Sequence, residues 1–310
     1  GLLVDLASWR AIFVAPLVFP VAAAFVTYLA VPEAPPRPGR SVDAKGAFLA
    51  FLTISALSFA LISGPAGWLR AEVLVALAGA VVCGWAFLRS QRRATQPMLP
   101  LALFRNRTFS GGNAVTLVSY LVSAGSFLFL VVQLQTTLGY RPVIAGAALL
   151  PLYLIMLVGS PQAGRLADKI GARAPIVAGN LILAAGVWWL SFAGAGSVFV
   201  PDVLPGMIIL GIGLATIGAP LTAATLGAVD AHDQGIASGV NNAVGQLAGL
   251  LMIVALPAIA GLSGKTFDGP EFADGYVVAM RACALLCLLA AGIAWATIRP
   301  ANASTDPIRV

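Results

Sequence analysis

Asn113, Thr116, Tyr120, Ser123 and Phe127 recur at intervals of three or four within an otherwise apolar run, 111–134. That spacing places them on one face of a helix. Amides and hydroxyls in such a stripe carry out no acid–base or nucleophilic step alone. They hydrogen-bond, either to a neighbouring helix or to a molecule in a wet crevice. Asn242, Gln246 and Gly249 repeat the pattern on 236–262, with Asn241 beside them, and Tyr153 on 142–163 is a further candidate for the same wall. For any single residue, an interhelical bond is the competing explanation. Two separate stripes favour a polar cavity running between helices.

A denser polar patch, GRLADKIGAR at 164–173, sets Arg165, Asp168, Lys169 and Arg173 between two apolar runs. Gly164 and Gly171 permit close approach and positive φ. Asp168 is placed to pair with Lys169 or Arg165, to cap a helix start, or to meet the positive end of a neighbouring helix. A charge cluster at the mouth of a helical bundle can act as a latch, made in one conformation and broken in the other. Positive anchoring alone would need only the bases, without the acid and the two glycines.

Other chemistry finds no purchase. The sole histidine, His232, sits in DAHDQG between Asp230 and Asp233, with no zinc-ligand spacing around it. No Gly-rich loop precedes a Lys-Ser or Lys-Thr, so ATP is not expected to drive this chain. Neither a metal nor a cofactor is expected, and the chain does not read as an enzyme. Cys83, Cys283 and Cys287 lie in apolar segments and read as small packing residues. No Asp or Glu lies deep in an apolar run: Asp202 and Asp274 sit at mouths and Glu72 at a helix start. A proton-carrying carboxylate, whose pKa burial could raise, would therefore lie outside this chain. Arg281, about two turns into the last run, either snorkels to the interface or serves as a counter-ion.

The elements that hold these residues must be immersed in lipid. Of 310 residues 59% are hydrophobic and only 10% charged, too few to clothe a soluble surface. A bilayer core of about 30 Å takes about 20 apolar residues as helix. On that measure the chain has nine spans: 9–31, 46–63, 72–89, 111–134, 142–163, 174–194, 202–227, 236–262 and 275–298. Pro151, Pro161 and Pro220 mark bent or broken helices, and GIGLATIGAPLTAATLG at 211–227 adds close-packing glycines. One set of alternate loops holds thirteen Lys and Arg residues and the other four, which puts the first set and the C-terminus in the cytoplasm. The basic balance thus serves topology, and nucleic acid is not an expected partner. Trp9, Trp68, Trp85 and Trp295 fall near span ends, as do Trp188 and Trp189, where interfacial rings belong. With nine spans and the C-terminus inside, Gly1 would lie outside with no signal peptide. The chain is therefore expected to follow an odd number of upstream helices, as a C-terminal fragment.

GRLADKIGAR resembles the G-x-x-x-D-R/K-x-G-x-R/K loop of the major facilitator superfamily, found after the second helix of each six-helix half. Here it follows the second of the last six spans, although Ala172 stands where that loop often has Arg. LQTTLGYRPVIAGAALLP at 134–151, SWRAIF at 8–13 and PMLPLALFRNRTF at 97–109 sharpen the resemblance to the drug:proton antiporters with fourteen membrane segments. One departure is Ala15-Pro16-Leu17, where an Asn-x-Pro often follows the start of the sixth helix. The resemblance implies an all-α membrane fold: 1–31 as the last helix of the N-terminal half, 32–107 as an inserted linker pair with cytoplasmic loops, and 108–310 as the C-terminal six-helix bundle. In that family the first, second, fourth and fifth helices of the half tend to face the central cavity, and both polar stripes lie on such helices. The implied function is proton-coupled efflux of drugs or other amphipathic compounds across the plasma membrane by alternating access. Its partners would be the small-molecule substrate, protons, the bilayer and the missing N-terminal half. Alternatives are an exporter of one endogenous metabolite or antibiotic, and a truncated membrane module that transports nothing.

Overall fold

The computed structural model describes residues 10, 14–30, 43–262, 267 and 270–300, and every regular element among them is helical. After a turn of 3-10 helix at Ala15–Leu17 come α1 (Val18–Ala30), α2 (Ala44–Ser63), α3 (Ala71–Arg93) and α4 (Arg107–Thr136). The rest are α5 (Pro142–Ala147), α6 (Leu150–Ile170), α7 (Arg173–Leu190), α8 (Leu204–Gly227), α9 (Gln234–Ile259) and α10 (Pro270–Thr297). Eight helical stretches are long and apolar enough to cross a membrane, α5 and α6 counting together as one. Of the expected span 9–31, the described helix α1 has 13 residues, and Trp9 and most of SWRAIF lie outside the described residues.

Most of the expected boundaries shift by a few residues, and three of the differences bear on the argument. The span at 142–163 is broken at Ala148 and Leu149, because Pro151, in the first turn of α6, has no N–H with which to carry the hydrogen-bond ladder across. The third span runs on to Arg93: Arg89, Arg92 and Arg93 stay helical, since straight-chain bases are good helix formers and suit a helix C-terminus. GRLADKIGAR is mostly helix, because α6 continues through Ile170 and leaves only Gly171 and Ala172 as the turn. Gly171 ends α6 with φ +83° and ψ 155°, a positive-φ conformation that suits glycine.

Helices α4, α6, α7, α8, α9 and α10 form one bundle, in which α8 lies against α6 and α7, and α10 against α4 and α7. The α7–α8 seam brings backbones together at glycines. A Cβ on Gly186 would stand 2.6 Å from the Leu210 nitrogen, and one on Gly213 2.7 Å from the Leu183 nitrogen. Without a hydrophobic driving force in lipid, such small-residue contacts supply the packing. Asn180, fully buried on α7, accepts the Ser119 hydroxyl proton of α4 at 3.2 Å and donates to the Ile176 carbonyl at 2.8 Å.

The helix ends sort into two sets. Asn106 donates to the Ala228 carbonyl, Arg107 to that of Ala296, and Arg173 lies on the Trp295 ring, so the starts of α4 and α7 meet the ends of α8 and α10. At the other end Gln133 donates to the Ala193 carbonyl and Tyr276 to that of Leu190. The first end carries Arg105, Arg107, Arg165, Lys169, Arg173 and Arg299; we call it the basic end.

Helices α2 and α3 form a hairpin closed by one polar clip, with α2 also lying against α9. The Asp43 carboxylate accepts the Gly46 N–H at 2.8 Å and the buried Gln91 amide at 2.7 Å, while Gln91 in turn accepts the Leu99 N–H at 2.9 Å. The Gln91 amide, followed by the Gly46 N–H, holds the Asp43 carboxyl below its ordinary pKa of 3.8. A depressed carboxylate stabilises fully above its unfolded pKa and loses that contribution as pH falls through the folded one. Hydrogen exchange at the Gly46 and Leu99 amides, corrected for its intrinsic pH dependence, should therefore quicken below pH 3.8. Asp43→Asn should quicken it already at neutral pH.

Candidate functional site

Five residues of the sequence-predicted wall meet at one cavity of about 270 Å3, between α4, α6, α8 and α9. Thr116, Tyr120, Ser123 and Phe127 line it from α4, and Tyr153 from α6, with the Phe127 and Tyr153 ring centroids 6.1 Å apart. Ser119, Thr222 and Asn241 complete its polar lining. Tyr153 lies in the first turn of α6, just past the break at Ala148 and Leu149.

The hydroxyl protons are already committed. Thr116 donates to the Gly112 carbonyl at 3.0 Å, Ser123 to that of Ser119 at 2.7 Å and Thr222 to that of Gly218 at 3.1 Å. Their lone pairs are what remains for a guest. Asn241 donates to the Thr116 hydroxyl oxygen at 2.9 Å and to the Asn113 side-chain oxygen at 3.2 Å, binding α9 to α4 beside the cavity. Among the described residues, no Asp, Glu, Lys, Arg or His lines it. The wall offers acceptor oxygens, two phenols and three aromatic faces, a surface for an amphipathic molecule and not for bond making or breaking.

Three members of the expected wall sit elsewhere. Asn113 is buried beside the cavity, its amide donating to the Phe109 carbonyl at 2.9 Å. Asn242 and Gln246 are exposed and do not line the cavity. The reason is rotation: α9 turns Ala237, Asn241, Gly245 and Ala248 toward its neighbours, and a Cβ on Gly245 would lie 3.1 Å from the Tyr120 ring. Asn242 and Gln246 are therefore carried about 100° or more around the helix from Asn241. Sequence reasoning missed Ser119 and Thr222, and it named Asn241 only as a neighbour. A lone Asn in the apolar run of α7 was the signal that Ser119 has a partner.

A family model described as the Major Facilitator Superfamily matches residues 1–253 and 112–308. The chain belongs to the Major Facilitator Superfamily. Its relatives include multidrug resistance protein Stp of Mycobacterium tuberculosis, 34% identical over 244 residues that are 78% of this chain and 45% of that protein. The tetracenomycin C resistance and export protein of Streptomyces glaucescens is 32% identical over 253 residues, 81% of this chain and 47% of the relative. The cephamycin export protein CmcT of Amycolatopsis lactamdurans is 30% identical over 312 residues, 99% and 64% respectively. The chain spans about half the length of the first two.

In this Major Facilitator chain the charged patch after the second bundle helix does not form the contacts expected of it. Asp168 lies in the last turn of α6, exposed, and makes no ion pair or hydrogen bond among the described residues. It does not cap α7, whose start at Ala172 has no side-chain cap. The short turn is the cause, since it leaves Asp168 on the outer face of its own helix. Arg165 and Lys169 are exposed beside it, Gly164 is helical and faces Ala219, and Arg173 is drawn away onto Trp295 at 3.8 Å. Arg281 lies 5.4 Å from the Trp188 ring, a cation–π contact at the end opposite the basic one. The His232 Nδ1 lies 2.9 Å from an Asp233 carboxylate oxygen, and no group of three potential metal ligands occurs among the described residues.

Proposed function

We propose that the chain is the C-terminal part of a proton-coupled exporter of amphipathic small molecules that works by alternating access. The cavity between α4, α6, α8 and α9 is the observation that carries this reading. Its acceptor oxygens and aromatic faces suit compounds that combine an apolar body with hydrogen-bond donors or a positive charge. The domains, on this reading, are residues 1–31 as the last helix of an N-terminal half, 32–107 as a linker pair, and 108–310 as the C-terminal bundle. The basic end faces the cytoplasm, by the distribution of Lys and Arg. The proton-binding carboxylate belongs to the N-terminal half, which rocks against this bundle around the substrate.

A second reading, export of one specific antibiotic or metabolite, is favoured by the relatives named for tetracenomycin C and cephamycin export. Efflux of a panel of lipophilic cationic dyes and of uncharged antibiotics by the full-length protein separates the two. A broad profile supports the first reading and a single transported compound the second. Efflux that continues unchanged after an ionophore collapses the proton gradient would refute the coupling.

Arg165, Asp168 and Lys169 stand free at the end of α6 in this conformation, as an open latch would. The latch positions Gly164 and Gly171 shape the approach and the turn, and Arg173 keeps its place at the start of α7. Asp168→Asn should slow turnover by about tenfold, the effect of losing about 1.4 kcal/mol, while substrate affinity changes little. Lost binding with unaltered turnover would remove the latch from this account.

A further inference from the structure

A second cavity, of about 660 Å3, lies at the basic end, outside the four-helix site. Arg105, Arg107, Arg173 and Arg299 line it together with Asn106 and Trp295. Among the described residues no carboxylate lines it, and none of the four guanidiniums is paired with a described Asp or Glu. Four permanent positive charges around one hollow repel one another unless an anion joins them.

Two of the four guanidiniums make only uncharged contacts. Arg107 reaches the Ala296 carbonyl with one nitrogen at 3.4 Å, and Arg173 lies on the Trp295 ring at 3.8 Å with its Nε buried and without a hydrogen-bond partner. Arg173 also begins α7, a helix start with no side-chain cap, where the helix dipole favours a negative group and disfavours a base. Trp295 is 63% exposed, an indole placed as those at the boundary between hydrocarbon and headgroups are.

We infer that this hollow binds the phosphate of an anionic membrane lipid. Guanidinium forks match phosphate oxygens in pairs, and the exposed indole marks the mouth as opening on the membrane surface, where lipid phosphates lie. A soluble phosphate group shares the chemistry, and the measurement tells the two apart. The inference does not depend on transport, because binding is read directly.

The test is native mass spectrometry of the delipidated full-length protein titrated with dioleoyl phosphatidylglycerol, with dioleoyl phosphatidylcholine and with inorganic phosphate. The wild type should retain one phosphatidylglycerol in preference to phosphatidylcholine. Arg105→Gln with Arg299→Gln, two exposed residues whose loss leaves packing alone, should weaken that binding by about thirtyfold at about 1 kcal/mol per base. Arg92→Gln with Arg93→Gln removes the same charge from α3 and should change it by less than about twofold. Arg173→Gln, examined by itself, should weaken the lipid if it folds. Displacement of the lipid by an excess of inorganic phosphate, with equal sensitivity to the arginine pair, would keep the phosphate site and reassign its occupant to a soluble molecule, overturning the lipid. Equal binding of the two lipids, or equal losses in the test pair and the α3 pair, would overturn the site itself.

Discussion

Gly213→Leu should leave no monodisperse protein after size-exclusion chromatography, whereas Gly218→Leu, about 1.4 turns along the same helix, should yield folded protein that does not export. The two glycines differ in what a side chain would meet. At Gly213 a Cβ alone stands 2.7 Å from the Leu183 nitrogen and 2.9 Å from its Cα, and α7 presents backbone there, not a flexible side chain that could turn aside. Overpacking a core that can relax costs about 1–3 kcal/mol. A seam of helix backbones cannot relax without separating α7 from α8, so the whole of that contact is at stake. At Gly218 nothing lies within 4 Å of an added Cβ, because the position opens on the four-helix cavity. A leucine there occupies space that a substrate would need. Normal export by Gly218→Leu would show that this cavity is not on the transport path.

The membrane fold was legible because its cause is local: a run of apolar residues fixes a span whatever surrounds it. The break before α6 was half legible, since Pro151 pointed to a disruption but not to its placement at the start of a second segment. The wall was legible on α4, where Thr116, Tyr120, Ser123 and Phe127 share one face by periodicity alone. It was not legible on α9. Asn241, Asn242 and Gln246 are all polar, and which of them meets α4 depends on how the helix is rotated by packing at Gly245 and Ala248. The partner of Arg173 was hidden for a similar reason. Arg173 is eight residues from Arg165 in sequence, yet the residue that claims it is Trp295, at the far end of the chain. Pairings set by a distant helix leave no trace in local spacing.

Asn241→Leu is expected to lower export by at least tenfold, and a second substitution decides why. The single change leaves the Asn113 oxygen without the donor it has at 3.2 Å, and removes the bond to Thr116 at 2.9 Å. A buried acceptor so abandoned costs about 1–3 kcal/mol, a factor of roughly 5 to 150 in an equilibrium that needs the contact. Part of the loss would then be stability, visible as a lower Tm. Asn241→Leu combined with Asn113→Leu removes both partners, a change that can be nearly neutral to stability. The Tm of the double variant should recover most of the way. Export should not, because Asn241 lines the cavity and its amide fixes the Thr116 oxygen that faces it. Substrate affinity, measured by equilibrium binding, should stay weakened in both variants. If export returns together with Tm, Asn241 is a bond between helices and nothing more, and the polar side of the cavity must then be sought in Ser123, Thr222 and the two tyrosines.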